Sequence, residues 1–136
     1  MAEKSITLYH GTLTESLQPI LKNGLNPSPG WVFGNQGVFL SSSKKGALYW
    51  AKMGFLARMG EKLDPSRFER KYNRNLLTVI KVRIPGTHLK NLRADMEQSE
   101  DFEVEIEEND WKEALRVMGD VLYKGTIPPE WITIAR

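Results

Sequence analysis

The chain contains no cysteine. That excludes disulfide staples, a thiolate nucleophile and cysteine zinc sites, and it accords with a reducing compartment, so a cytoplasmic location is expected. Histidine is scarce as well. Only His10 and His88 occur, far apart and without ligand spacing, so no metal is expected. Long hydrophobic runs are missing, the longest spanning a few residues, which excludes a membrane-crossing helix and a membrane partner. The first ten residues, MAEKSITLYH, have neither an apolar core nor a small-residue cleavage site, so no signal peptide is expected. There is no GxSxG and no phosphate loop, and the glycines from Gly30 to Gly37 lack GxGxxG spacing. With no internal repeat and no linker rich in Pro, Gly or Ser, residues 1–136 are expected to form one domain.

What remains is a composition able to pack a core, 40% apolar and 26% charged. The net charge of +2 hides a division. Residues 41–90 carry twelve Lys or Arg against Glu61, Asp64 and Glu69, whereas residues 91–136 carry five against twelve acids. Two readings stay open: a basic surface for a polyanion, or two halves that neutralise each other on folding.

Along the chain, residues 5–10 alternate as a strand. Thr12-Leu13-Thr14-Glu15 fits a capping box opening a helix to residue 23, with Gly24 at its exit. Residues 26–36 read as a loop and 37–41 as a short strand. Ser42 or Ser43 then caps a helix over 44–59, and Asp64-Pro65 opens a short basic helix. Residues 76–84 form the clearest strand, with Ile80, Val82 and Ile84 on one face and Lys81 and Arg83 on the other. Residues 102–106 alternate apolar and acidic side chains, as an edge strand or hairpin arm would. A helix capped by Asn109 or Asp110 reaches Met118, and strands over 121–123 and 130–135 close the chain. Strands outnumber helices without strict βαβ alternation, so the fold class is α+β.

Three segments stand out in order: Tyr9-His10-Gly11-Thr12 with its downstream Gly24-Leu25; Gly37-Val38-Phe39-Leu40-Ser41-Ser42-Ser43 followed by Tyr49 on a helix; and Ile127-Pro128-Pro129-Glu130-Trp131-Ile132. Together they resemble the ADP-ribosyltransferase superfamily, in its His–Tyr–Glu branch that includes the poly(ADP-ribose) polymerases. They are also similar to the RNA 2′-phosphotransferases, which share the His-Gly-Thr opening and the late Pro-Pro segment. The resemblance spans residues 6–134. It implies split antiparallel sheets with flanking helices around a central cleft, and NAD as co-substrate.

It also implies roles. His10 would bind a ribose hydroxyl, and the Gly11 backbone, with no Cβ in the way, the nicotinamide amide beside Thr12. Tyr49 would stack on the nicotinamide ring, with Phe39 as the opposite wall, and Ser41 would hold the carboxamide. Glu130 would bind the 2′-hydroxyl and stabilise the oxocarbenium-like transition state of nicotinamide–ribose cleavage. Its parity with Ile132 and Ile134 predicts an apolar-side position for it.

The implied activity is mono-ADP-ribosyl transfer to a macromolecule. Lys44, Lys45, Lys52, Arg58, Lys62, Arg67, Arg70, Lys71 and Arg74 interleave with Phe55, Phe68 and Tyr72. That mixture suits a nucleic-acid backbone with a stacked base, so nucleic acid is favoured narrowly over protein as acceptor. No arginine precedes Phe39, which counts against RNA 2′-phosphate transfer, and no Glu-x-Glu precedes Glu130, which counts against an arginine acceptor. A binding module that senses ADP-ribose or nucleic acid without catalysis is the non-enzymatic alternative. The small size is similar to that of bacterial or phage effectors and toxins, which implies a neutralising antitoxin or immunity partner.

Overall fold

The computed structural model describes residues 4–27 and 37–135. Residues 28–36 of the expected loop, and residues 1–3, lie outside them. In chain order the elements are β1 (Ile6–Leu13), α1 (Leu17–Asn23), β2 (Val38–Ser41), α2 (Lys44–Arg58), α3 (Phe68–Lys71), β3 (Leu77–Ile84), β4 (Leu92–Arg93), α4 (Met96–Asp101), α5 (Trp111–Val117), β5 (Asp120–Tyr123) and β6 (Ile132–Ile134). This is a compact α+β domain with one six-stranded antiparallel sheet in the order β4-β5-β2-β1-β3-β6.

The sheet has a narrow waist. β1 pairs with β3 over eight residues, from Ile6↔Ile84 to Leu13↔Leu77, and β2 pairs with β5 from Val38↔Tyr123 to Ser41↔Asp120. Between β1 and β2 the register contains a single pair, Tyr9↔Ser41. Two three-stranded halves therefore meet at one point, and beyond it β1 and β2 do not pair with each other.

Cross-strand partners share a face and neighbours along a strand alternate. One face buries Leu8, Leu40, Ile80, Val82, Ile84, Val121 and Tyr123, with α1 and α5 contributing Ile20, Leu21, Trp111 and Leu115. The other face carries α2, whose Leu48, Ala51 and Phe55 pack with Leu13, Leu77 and Phe68. Tyr9, Gly11, Phe39, Ser41 and Asp120 belong to this second face. Burial of the two faces drives the fold, at about 25 cal/mol per Å² of apolar surface removed from water.

Four local expectations need correction. The capping box at Thr12 does not form, because β1 continues through Leu13 and a 3-10 turn over Thr14–Ser16 precedes α1 with no side-chain cap. Pairing with β3 along all of β1 wins over the local cap. The alternating segment 102–106 is not a strand. Asp95 accepts hydrogen bonds from the Glu97 and Gln98 amides and so starts α4, and Glu103 beyond its end adopts φ 56°. The last strand starts at Ile132, behind a 3-10 turn over Pro129–Trp131, so strand parity does not reach Glu130. The aromatics of the basic stretch are core rather than platform: Phe55, Phe68 and Tyr72 pack edge-to-face or tilted on one another, and Phe68 is fully buried. The other capping signals match the structure, with Ser43 capping α2, Asp64 the turn at Pro65, and Asp110 α5.

Candidate active-site cleft

Where the two halves diverge, a cleft of about 300 Å³ opens between β1 and β2, lined by α2-face residues such as Gly11 and Ser41 and by His10, Thr12 and Val38, whose strand parity is that of the Leu8 face. Its floor is β1 from Tyr9 to Leu13 together with Phe39 and Ser41 of β2. One wall is a single face of α2, formed by Ala47, Trp50, Ala51, Gly54, Phe55 and Arg58 at three- and four-residue spacing. Small residues let this helix lie close to the sheet. A Cβ on Gly11 would stand 2.4 Å from the Ala47 carbonyl oxygen and 2.7 Å from the Ala51 Cβ. The opposite wall is the missed helix α4 and its flanks, with Asp95, Gln98, Asp101 and Phe102.

Polar chemistry concentrates where β2, β5, α2 and α4 meet. Asp120, only 5% exposed, faces the cleft wall through three donors. Ser41 Oγ donates to Oδ1 at 2.5 Å, Trp50 Nε1 to Oδ2 at 3.1 Å, and Gln98 Nε2 to Oδ2 at 2.9 Å. All three donor residues line the cleft. Burial pushes the Asp120 pKa up; the hydrogen bonds from Ser41, Gln98 and Trp50 oppose that shift, and the nearby Asp95 charge adds to it. Burial favours the neutral acid while three converging donors favour the anion. Gln98 is 3% exposed, and its Oε1 has no hydrogen-bond partner.

At the seam, His10 Nδ1 lies 2.7 Å from the Phe39 carbonyl oxygen. A carbonyl only accepts, so Nδ1 carries the proton and Nε2 presents a lone pair. Burial lowers the His10 pKa, against the smaller upward pull of the Phe39 bond, which keeps the ring neutral. Phe39 and Trp50 meet edge-to-face, with ring centroids 5.3 Å apart, and form an aromatic corner beside it.

The cleft thus brings together His10, Gly11, Thr12, Phe39 and Ser41. It does not include Tyr49 or Glu130, and Asp120 itself stands behind the lining residues Ser41, Trp50 and Gln98. Tyr49 is 44% exposed and lies off the helix face that Ala47, Trp50 and Ala51 turn inward, so Trp50 occupies the inner position. Glu130 is exposed on its 3-10 turn, in a shallow hollow with Ser5, Arg83, Pro85, Gly86 and Trp131 near the opposite end of β1. The expectation that Glu130 and His10 share one pocket is therefore corrected.

Three acids within the basic stretch pair with three of its nine bases. Lys52 pairs with Glu69 at 2.6 Å, Arg67 with Asp64 at 3.4 Å, and Lys71 with Glu61, while Arg74 Nη1 donates to the Leu77 carbonyl at 3.0 Å. Lys44, Lys45, Lys62 and Arg70 are exposed.

Sequence reasoning missed Asp120, Trp50, Asp95 and Gln98. The helical phase of Ala47 and Ala51 carried a signal for Trp50, and an acid flanking the apolar run Val121-Leu122-Tyr123 carried one for Asp120. Gln98 had none. Among the described residues no helix is long and apolar enough to cross a membrane. No family model and no curated protein sequence matches the chain.

Proposed function

We propose that the chain is a mono-ADP-ribosyltransferase of the ADP-ribosyltransferase-like fold, breaking the nicotinamide–ribose bond of NAD in this cleft and passing ADP-ribose to a macromolecule. The observation that carries the reading is the buried Asp120 carboxylate, held by three cleft-wall donors on the same face as the seam. Leaving-group departure builds positive charge on the ribose. A fixed carboxylate in a partly dry cleft stabilises that charge more than it stabilises the ground state. Asp120 stands behind the lining, so it would supply the electrostatic part of the role that the resemblance gave to Glu130, acting through Ser41, Trp50 and Gln98 rather than by touching the ribose.

The remaining groups fit the same chemistry. Neutral His10 would accept from a ribose hydroxyl through Nε2. Ser41, whose proton is committed to Asp120, would accept from the carboxamide N–H through its oxygen lone pairs. Phe39 and Trp50 would enclose the ring. A volume near 300 Å³ is at the low end for ligand clefts and suits the nicotinamide–ribose end of NAD, the rest lying across the open mouth. Arg58 is the only arginine lining the cleft among the described residues, so an RNA 2′-phosphate would find little to hold it.

The test is incubation with NAD labelled on its adenine side, offering RNA, DNA and protein separately. Release of nicotinamide with label on an acceptor supports transfer. Intact NAD with measurable ADP-ribose binding would overturn transfer in favour of the binding module.

A further inference from the structure

A second hollow lies away from the cleft, where β6 parts from β3. It is open, about 360 Å³ in volume, and bordered by Ser5, Arg83, Pro85, Gly86, Glu130 and Trp131. β6 pairs with β3 only from Ile80↔Ile134 to Val82↔Ile132, so the 3-10 turn over Pro129–Trp131 stands beyond the last pair, by the end of β3. Two charges of opposite sign border this hollow without pairing. Arg83 Nε donates to Ser5 Oγ at 3.0 Å, which orients the guanidinium and leaves its terminal nitrogens without a partner among the described residues. The exposed Glu130 carboxylate has none among them either. Pro128 and Pro129 restrict the backbone just ahead of Glu130, so its turn is not free to swing toward Arg83. Trp131, half-buried, is held by ring contacts with His88 at 4.9 Å and Tyr123 at 5.9 Å between centroids.

A simple anion in this hollow would meet Glu130 as like charge, and a simple cation would meet Arg83. A zwitterion meets neither, because it brings a partner for each. We propose that the hollow binds a free α-amino acid with an aliphatic side chain, at a site separate from the NAD cleft. The carboxylate of the amino acid receives the terminal N–H groups of Arg83, whose planar fork matches a carboxylate bidentately. Its ammonium group donates to the Glu130 carboxylate beside the Trp131 ring, a pairing of acid and aromatic that suits a compact cation. Its side chain lies over Pro85 and Gly86, which present a pyrrolidine ring and bare backbone.

The inference does not rest on the NAD reading. It gives the Pro128-Pro129-Glu130-Trp131 segment, whose acid lies outside the cleft, a task of its own. Adjacent Glu130 and Trp131 supply the half that takes the cation, and Arg83 with Ser5 the half that takes the anion. Arg83 and Glu130 are both exposed, so salt screens each contact and affinity falls as ionic strength rises.

The experiment titrates the full chain by isothermal calorimetry with L-leucine, with leucinamide, which lacks the carboxylate charge, and with N-acetyl-leucine, which lacks the ammonium charge. L-Leucine is expected to bind with a Kd at or below about 1 mM, and each derivative roughly tenfold more weakly, the scale of one charge-assisted hydrogen bond. Arg83→Gln should remove the preference for L-leucine over leucinamide, and Glu130→Gln the preference over N-acetyl-leucine. Lys81→Gln, exposed on the same face of β3 but outside the hollow, should change neither. All three positions are exposed, and circular dichroism checks that each variant folds. No binding of L-leucine at roughly 10 mM would overturn the proposal. Equal binding of the three ligands would overturn the two-charge recognition, and preferences that survive in both Arg83→Gln and Glu130→Gln would overturn the site.

Discussion

Gly11→Ala is the sharpest steric test of how the cleft is built. The resemblance assigns Gly11 an open approach for a ligand, whereas the structure places α2 against it. A methyl group there would meet the Ala47 carbonyl oxygen at 2.4 Å and the Ala51 Cβ at 2.7 Å, where real Cβ contacts essentially never fall under 3.0 Å. The first neighbour is helix backbone and has no rotamer to yield. Either α2 retreats from β1 or the strand bends, and both disturb the packing of Leu48, Ala51 and Phe55 on Leu13 and Leu77. Overpacking of a well-filled core costs about 1–3 kcal/mol, and a clash with backbone belongs at the upper end. For a chain of this length about 3 kcal/mol corresponds to a fall in Tm of roughly 10 °C. Urea denaturation followed by circular dichroism measures the loss, with Gly60→Ala, which would meet nothing within 4 Å, as a control for glycine replacement at φ +67°. Ala51→Gly in the Gly11→Ala background should recover only part of the loss, because the carbonyl contact remains. Gly11→Ala stability within about 0.5 kcal/mol of the parent would refute the packing argument and restore ligand access as the reason for this glycine.

Three further outcomes follow from the site. Asp120→Asn should leave stability within about 1 kcal/mol of the parent or raise it: the folded carboxyl pKa lies above its ordinary value, so stability falls as pH rises through that raised range and the buried anion is a cost at neutral pH; chemical denaturation at pH 7 measures it. His10 has the opposite sign. Its folded pKa lies below 6.5, so the unfolded chain takes up the proton first, and stability should fall as pH drops below about 6.5, by up to about 1.4 kcal/mol per pH unit, with His10→Gln flattening the profile between pH 7.5 and 5. Trp50→Ala should cost about 2 kcal/mol by denaturation and weaken nicotinamide binding, because it removes both a wall and a donor to Asp120, whereas exposed Tyr49→Ala should stay within about 0.5 kcal/mol and bind nicotinamide like the parent.

What could be read from the sequence was what local chemistry decides. Alternation gave the long strand ending at Ile84, and capping residues placed the starts of α2 and α5 to within one residue, at Ser42 or Ser43 and at Asn109 or Asp110, of which the structure uses Ser43 and Asp110. His10, Gly11, Thr12, Phe39 and Ser41 reach one cleft because they end or adjoin two strands that the fold pairs at a single point. Tyr49 failed on helical phase, since its neighbour Trp50 shares the face of Ala47 and Ala51. Glu130 failed because a 3-10 turn breaks the alternation on which its parity relied. Asp120 and Gln98 are separated by twenty-two residues and meet only through tertiary packing, so no spacing in the sequence announces them. Helix α4 was hidden by the alternation of residues 102–106, although Asp95 is an ordinary N-cap.

The central claim, that Asp120 is the carboxylate whose charge serves NAD cleavage from behind the cleft wall, is tested most directly by the rate of nicotinamide release from NAD in three proteins: the parent, Asp120→Asn and Glu130→Gln. Losing a preorganised charge that acts in the transition state costs about 3 kcal/mol, or roughly a hundredfold in rate. The account predicts that loss in Asp120→Asn, with NAD binding held within a few-fold, and a parental rate in Glu130→Gln, whose side chain lies outside the cleft. A parental rate in Asp120→Asn together with a hundredfold loss in Glu130→Gln would contradict it.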